Sequence, residues 1–168
     1  MPELQPLRID HAQSVLGFEL ANRDYFAAFV SDRGDEYFHQ FTKRHDALLA
    51  EQASGLGAYY VLVDEDGSVL GRFNLMSVEK CTANLGYRVA ENVAGRGVAT
   101  AAVRDLCRLA YEQHGLRTIR AATAQTNVAS QRVLLKAGFV PIGPADRKDL
   151  GGKVGTWYHR ELTGGTDR

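Results

Sequence analysis

The stretch Leu85-Gly86-Tyr87-Arg88-Val89-Ala90-Glu91-Asn92-Val93-Ala94-Gly95-Arg96-Gly97-Val98-Ala99-Thr100 decides the fold. An alternating strand runs into a Gly-x-Gly turn, and the turn opens a helical pattern with no proline or other breaker. The first amides of a helix have no partner inside it, and they point outward with the positive end of its dipole. Such a turn offers a seat to a phosphate or pyrophosphate.

Working outward, residues 98–114 carry the helix and Gly115 stops it. Upstream, 58–63 is rich in β-formers, Asp64-Glu65-Asp66-Gly67 reads as a hairpin turn, and strands over 69–78 and 81–89 complete an antiparallel meander. Before that come a short strand over 5–9, a helix over 11–20 capped by Asp10, and a helical piece over 22–30. A longer helix over 35–53 ends at Ser54-Gly55 and places Phe38, Phe41, His45, Leu48 and Leu49 on one face. Downstream, 118–124 reads as a strand and 127–137 as a helix closed by Gly138, with final strands over 139–142 and 153–162. This order predicts one α/β domain over 1–162, a mixed sheet that is antiparallel first and ends in a β-α-β-α-β section. A disordered tail is expected over 163–168.

Composition narrows the function. At 168 residues the chain buries a sizeable core without staples. Its 20 basic and 20 acidic residues balance, so no global field argues for nucleic acid or a membrane surface. Cys81 and Cys107 are too few and too far apart for a disulfide framework or a metal cluster, and Cys107 falls at an apolar helical position. The N-terminus lacks the order of a signal peptide, and no apolar run approaches the roughly 18 residues of a membrane span. The expectation is a cytoplasmic monomer or homodimer that binds neither nucleic acid nor membrane.

Two familiar phosphate loops fit the turn poorly. A P-loop requires a Lys-Ser/Thr pair after its second glycine, and Gly95-Arg96-Gly97-Val98-Ala99-Thr100 has none. A Rossmann turn requires a third small residue where Thr100 stands, with an acidic residue about 20 positions on, where Leu116, Arg117 and Thr118 are found. A strand-to-helix turn without a ligand is the bland alternative.

The second half of the chain changes the balance. After the next strand comes Asn127-Val128-Ala129-Ser130-Gln131-Arg132-Val133-Leu134-Leu135-Lys136-Ala137-Gly138-Phe139. Together, in this order and at this gap, the two segments resemble the GCN5-related N-acetyltransferase (GNAT) family. The Asn-x-x-Ser-x-Arg-Val and Gly-Phe spacing is similar to its Rim-type branch, which acetylates N-terminal amines of ribosomal proteins. The resemblance covers residues from about 69 to 162. It implies a single-domain, mostly antiparallel twisted sheet with helices on both faces, and a parallel strand pair that splays at the cofactor site. It also implies acetyl-CoA as donor and a primary amine as acceptor, a protein N-terminus or a small molecule, with direct transfer in a ternary complex. Two positions depart from the pattern. Asn92 stands where the family usually has Gln or Arg, and Asn84 stands where many Rim-type chains carry Glu, which leaves the general base unassigned.

On that resemblance, Gly95, Arg96, Gly97, Val98, Ala99 and Thr100 would hold the pyrophosphate, and Tyr87, Arg88 and Val89 would lend backbone groups to the pantetheine arm. Arg96 is otherwise a solvated surface arginine. Ser130 would protonate the leaving thiolate, unless it is simply a first-turn helix residue. Asn127 would orient pantetheine or substrate, or serve as the N-cap. Arg132 and Lys136, one helical turn apart, would reach the cofactor's 3′-phosphate or form an exposed basic face. Leu134 stands where relatives outside the Rim branch have a tyrosine proton donor. Glu19, Glu79, Glu91 and His159 are scattered candidates for a base. The acceptor pocket is expected between the helices of 11–53 and the loop 146–152, with Asp24, Asp32, Asp35 and Glu36 offering an acidic slot. The rival readings are an acyl-CoA-binding domain without turnover and a nucleotide-binding module.

Overall fold

The protein, a computed structural model, is described over residues 1–164. Seven strands form one sheet: β1 (Glu3–Pro6), β2 (Ala58–Val63), β3 (Val69–Glu79), β4 (Thr82–Val89), β5 (Thr118–Ala124), β6 (Val140–Ala145) and β7 (Gly155–Glu161). Their spatial order is β1-β2-β3-β4-β5-β7-β6. Four helices precede β2, namely α1 (Ala12–Ala21), α2 (Arg23–Ala27), α3 (Asp35–His39) and α4 (Phe41–Ser54). Helices α5 (Val98–His114) and α6 (Val128–Lys136) follow β4 and β5. No helix among the described residues is long and apolar enough to cross a membrane.

Period-2 alternation divides the sheet's apolar side chains between two cores, one on each face. Tyr60 and Leu62 of β2 join Phe73, Leu75 and Leu85 against Val103, Leu106 and Cys107 of α5 and Leu134 of α6. Their neighbours Tyr59 and Val61 face the other way, into Val15, Phe18, Phe26, Tyr37 and Phe41 of the first four helices. Cys107 is core, and burial pushes its thiol up to about 11. The product is a sheet between two helical layers.

Every strand pair is antiparallel except β4 with β5. That parallel pair is in register only at Thr82↔Thr118, Ala83↔Ile119 and Asn84↔Arg120, after which the two strands part. The splay implied by the resemblance is therefore present, and Asn84 sits at the last rung before it.

Several boundaries differ from the sequence reading, each for a physical reason. The first strand ends at Pro6, and Ile9–His11 forms a 3-10 turn in which the Arg8 amide donates to His11 Nδ1 at 3.0 Å. Asp10 therefore caps nothing and pairs with Arg8 at 3.1 Å. The helix expected over 35–53 breaks at Gln40, so Tyr37 and Phe41 both reach the core, where Tyr37 accepts from Arg72 at 3.0 Å. Strand β6 runs on past Pro141 to Ala145, which an edge strand permits because one row of its amides needs no partner. Of the tail expected to be disordered, residues 165–168 lie outside the described residues.

Candidate active site

The Gly-x-Gly turn sits where β4 leaves the sheet. Gly95 and Gly97 both have φ of +76°, a left-handed conformation that glycine adopts without a Cβ penalty. Gly97 is the N-cap of α5 and brings no side chain to satisfy the amides beyond it. The first bond of the helix runs from the Ala101 amide to the Gly97 carbonyl at 3.1 Å, which leaves the amides of Val98, Ala99 and Thr100 at an uncapped end. A Cβ built on Gly97 meets nothing within 4 Å, so the space in front of these donors is open.

That space belongs to a cleft of about 370 Å³ walled by Tyr87, Val89, Gly95, Gly97, Ala99 and Thr100 on one side and Asn127, Ser130, Arg132 and Lys136 on the other. Tyr25, Phe26 and Phe29 add an aromatic wall. A second cleft of about 450 Å³ lies along Arg72, Asn74 and Met76 of β3, Ala121 to Ala124 of β5 and the 149–151 loop. The two share Phe29, Val30, Tyr87, Arg88, Asn127 and Ser130, so they meet where β4 and β5 have parted. The first opens beside the start of α5, and the second beside the segment between α2 and α3.

Most residues expected at the site come together there, with two differences. Arg96 is exposed and outside the walls of both clefts, because it stands at the outer corner of the turn between the two glycines. Val98 packs against the α5-side core, which leaves only its amide for a ligand. Asn127 is the N-cap of α6, its Oδ1 accepting from the Ser130 amide at 3.2 Å. Arg132 and Lys136 both line the first cleft.

Sequence reasoning missed the side chain of Tyr87. Its hydroxyl lies 2.9 Å from Ser130 Oγ, and its ring stacks on Phe73 with centroids 5.6 Å apart. Burial pushes the Tyr87 phenol up to about 12, so it stays protonated near neutrality. When Tyr87 donates to Ser130 Oγ, the Ser130 hydroxyl hydrogen is free for a group in the cleft. The alternation of β4 places Tyr87 on the α5 face with Leu85, but only the fold brings it to a serine 43 residues away.

The acid–base candidates fare differently. Glu79, Glu91 and His159 line neither cleft. Glu19 is 1% exposed, and its two oxygens accept from Arg33 at 3.0 Å each and from Arg72 at 2.7 Å. Burial alone would raise its pKa, but the hydrogen bonds and charges of Arg33 and Arg72 outweigh it and hold the carboxyl below its ordinary value. A carboxylate so held is a structural anion rather than a proton acceptor. The acidic slot is absent: Asp24, Asp32, Asp35 and Glu36 line neither cleft, and Arg23 binds Asp32 at 2.8 Å and Asp35 at 2.9 Å on the surface.

A splayed parallel pair, a glycine turn with open amides and two meeting clefts define an acyltransferase scaffold. A sequence model described as an acetyltransferase (GNAT) domain matches residues 3–140, and the chain belongs to that family of N-acetyltransferases. A probable N-acetyltransferase of Bacillus subtilis, YjcK, is 29% identical over 166 residues, covering 95% of this chain and 90% of the relative. In fold the chain is similar to the ribosomal-protein-S5-alanine acetyltransferase of Vibrio fischeri, with a TM-score of 0.89 and 20% identity over 97% of this chain and 94% of that one. It is also similar to Mycobacterium smegmatis RimJ, solved in complex with CoA-disulfide, with a TM-score of 0.83 and 23% identity over 94% of this chain and 80% of that one.

Proposed function

We propose that the protein transfers the acetyl group of acetyl-CoA directly to a primary amine, with both reactants bound at once. The observation that carries this reading is the meeting of the two clefts at Tyr87 and Ser130, beside a helix start whose amides are open. The residues fit the donor. Amides of 98–100 suit a pyrophosphate. Arg132 and Lys136 suit a further phosphate, and the aromatic wall of Tyr25 and Phe29 suits the rest of a nucleotide thioester. CoA seen with the similarly folded RimJ supports the same choice.

Bound acetyl-CoA supplies the reactive thioester; the chain's own residues supply position and protons. Beyond Asn84, β4 has exposed backbone groups where β5 no longer pairs, and Tyr87 to Val89 hold an extended pantetheine arm as an edge strand holds a peptide. An α-amine near pKa ~8 is partly neutral at working pH and needs little help from a base, which suits a site with Asn84 in place of a carboxylate. Ser130, oriented by Tyr87, donates to the departing sulfur. Holding both reactants in line lowers the barrier by several kcal/mol on its own (about 7 or more in favourable cases).

The test is release of free CoA from acetyl-CoA with a panel of amines and N-terminal peptides, alongside CoA affinity by calorimetry. Acceptor-dependent release confirms transfer. Asn84 favours one rival, a domain that binds acyl-CoA without turnover, and tight CoA binding with no release above hydrolysis would establish that instead.

A further inference from the structure

Three arginines converge on the acceptor-side cleft, and none of their side chains has a part in the proposed transfer. Arg72 of β3 and Arg88 of β4 stand directly opposite each other in register, on the sheet face covered by α1, α2 and α3. Arg33 reaches the same place from the segment between α2 and α3. All three line the cleft. Like charges directly across a strand pair repel, so this arrangement requires anions nearby.

Glu19 supplies one. Its oxygens are taken by the two nitrogens of Arg33 at 3.0 Å and by Arg72 at 2.7 Å, and Tyr37 also accepts from Arg72. Arg88 is left over. Its nearest guanidinium nitrogen is 3.6 Å from Glu19, and its Cζ lies over the Phe26 ring at 5.1 Å. Among the described residues no hydrogen bond to this guanidinium is found, although the side chain is only 21% exposed. The remaining charged residues on the cleft wall are Lys153, whose Nζ donates to the Phe29 carbonyl at 2.8 Å, and Asp149. Four cations thus face two carboxylates, one of them beneath the surface and fully engaged. Burial and the neighbouring Arg33 already disfavour the charge on Arg88, which a bound anion would relieve.

Resting on the acetyl-transfer reading, we propose that the acceptor is a small amine bearing an oxyanion, a carboxylate or a phosphate. The anionic group sits against Arg88, backed by Arg33 and Arg72. A guanidinium fork takes either oxyanion in two parallel hydrogen bonds, and a desolvated one is selective for charge. Arg88 and Tyr87 leave opposite faces of β4, and both line this cleft together with Ser130, so the anchor for the anion and the hydroxyl pair open onto the same space. Polyamines and other cationic acceptors are disfavoured by the same charges.

The experiment compares matched acceptors: aspartic acid α-amide against asparagine amide, phosphoethanolamine against ethanolamine, and spermidine as the cation. In wild type the anionic member of at least one pair is expected to have a kcat/KM about tenfold or more above its neutral partner, as a charge-assisted contact provides. Whichever pair gives the larger ratio identifies the oxyanion. In Arg88→Gln that ratio is expected to fall to within about twofold, chiefly through KM of the anionic member. Neutral or cationic amines used as well as the anionic ones, or a ratio unchanged in Arg88→Gln, overturn the proposal and leave acetyl transfer standing. No CoA release with any of these amines, while N-terminal peptides are acetylated, overturns this proposal alone, and no release with the peptides either overturns both.

Discussion

At the residue scale, the proposed transfer rests on a hydroxyl pair whose members are ordinary alone. A serine in the first turn of a helix usually bonds its own backbone. Here Ser130 Oγ is 2.9 Å from the Tyr87 hydroxyl, and the Asn127 side chain already serves the Ser130 amide. The serine hydroxyl therefore has a fixed partner behind it and the cleft in front. Ser130→Ala is expected to lower kcat by about 10²-fold, the size usual for a lost proton donor, with CoA affinity nearly unchanged. Tyr87→Phe keeps the stack on Phe73 and removes only the orienting group, so a loss of about tenfold is expected. Because the two act as a unit, the double variant should be no slower than Ser130→Ala. Additive losses in steady-state kinetics would show that they act separately.

At the element scale, the decisive feature is how β4 hands over to α5. Gly97 is both the N-cap and part of the cleft wall, and a Cβ there points into open space. Gly97→Trp is expected to fill that space and weaken CoA binding by well over tenfold in calorimetry, whereas Gly97→Ala meets no atom and costs about 1 kcal/mol of stability through its positive φ. Unchanged CoA affinity in the tryptophan variant would remove the pyrophosphate site from this turn. The hairpin between β3 and β4 carries the opposite imperfection. Lys80 and Cys81 occupy its two loop positions at φ of +50° and +63°, where Asn-Gly is preferred. Replacing them together, Lys80→Asn with Cys81→Gly, is expected to stabilise by about 1 kcal/mol and raise Tm by about 3 °C in calorimetry.

What was legible in the sequence follows the same division. Strands β2 and β5 and helix α5 have the limits read from it, because period and turn chemistry agree there and Gly115 takes the left-handed C-terminal position. The break at Gln40 carries neither glycine nor proline, and it arises where Tyr37 turns toward Arg72, a partner 35 residues on. The glycine turn and the Asn127 helix could be read as one site because each is a local motif. Tyr87 with Ser130, and Glu19 with Arg72 across 53 residues, exist only once the sheet is assembled.

At the scale of the whole molecule, Glu19 joins the helical layer to the sheet behind Arg33 and Arg72 of the second cleft. It is 1% exposed and faces Arg33, Arg72 and Arg88, so removing its charge leaves three guanidinium groups uncompensated. Glu19→Gln is expected to cost about 3 kcal/mol, as breaking a buried ion pair by one partner does. The pH dependence has a definite sign. The folded-state pKa of Glu19 lies below its ordinary 4.5, so the folded protein binds fewer protons there than the unfolded chain. This contribution is complete above pH 4.5 and is lost as the pH falls through the lower folded value. His11 behaves likewise in a higher window: burial lowers its pKa from 6.5, and its Nδ1 must stay unprotonated to accept from the Arg8 amide. Urea unfolding should show stability falling as the pH drops below 6.5 and again below 4.5. The gap between wild type and Glu19→Gln should be widest at neutral pH and close as the pH falls below 4.5. A gap that stayed constant down to pH 3 would mean that Glu19 holds the layers together by shape rather than by charge.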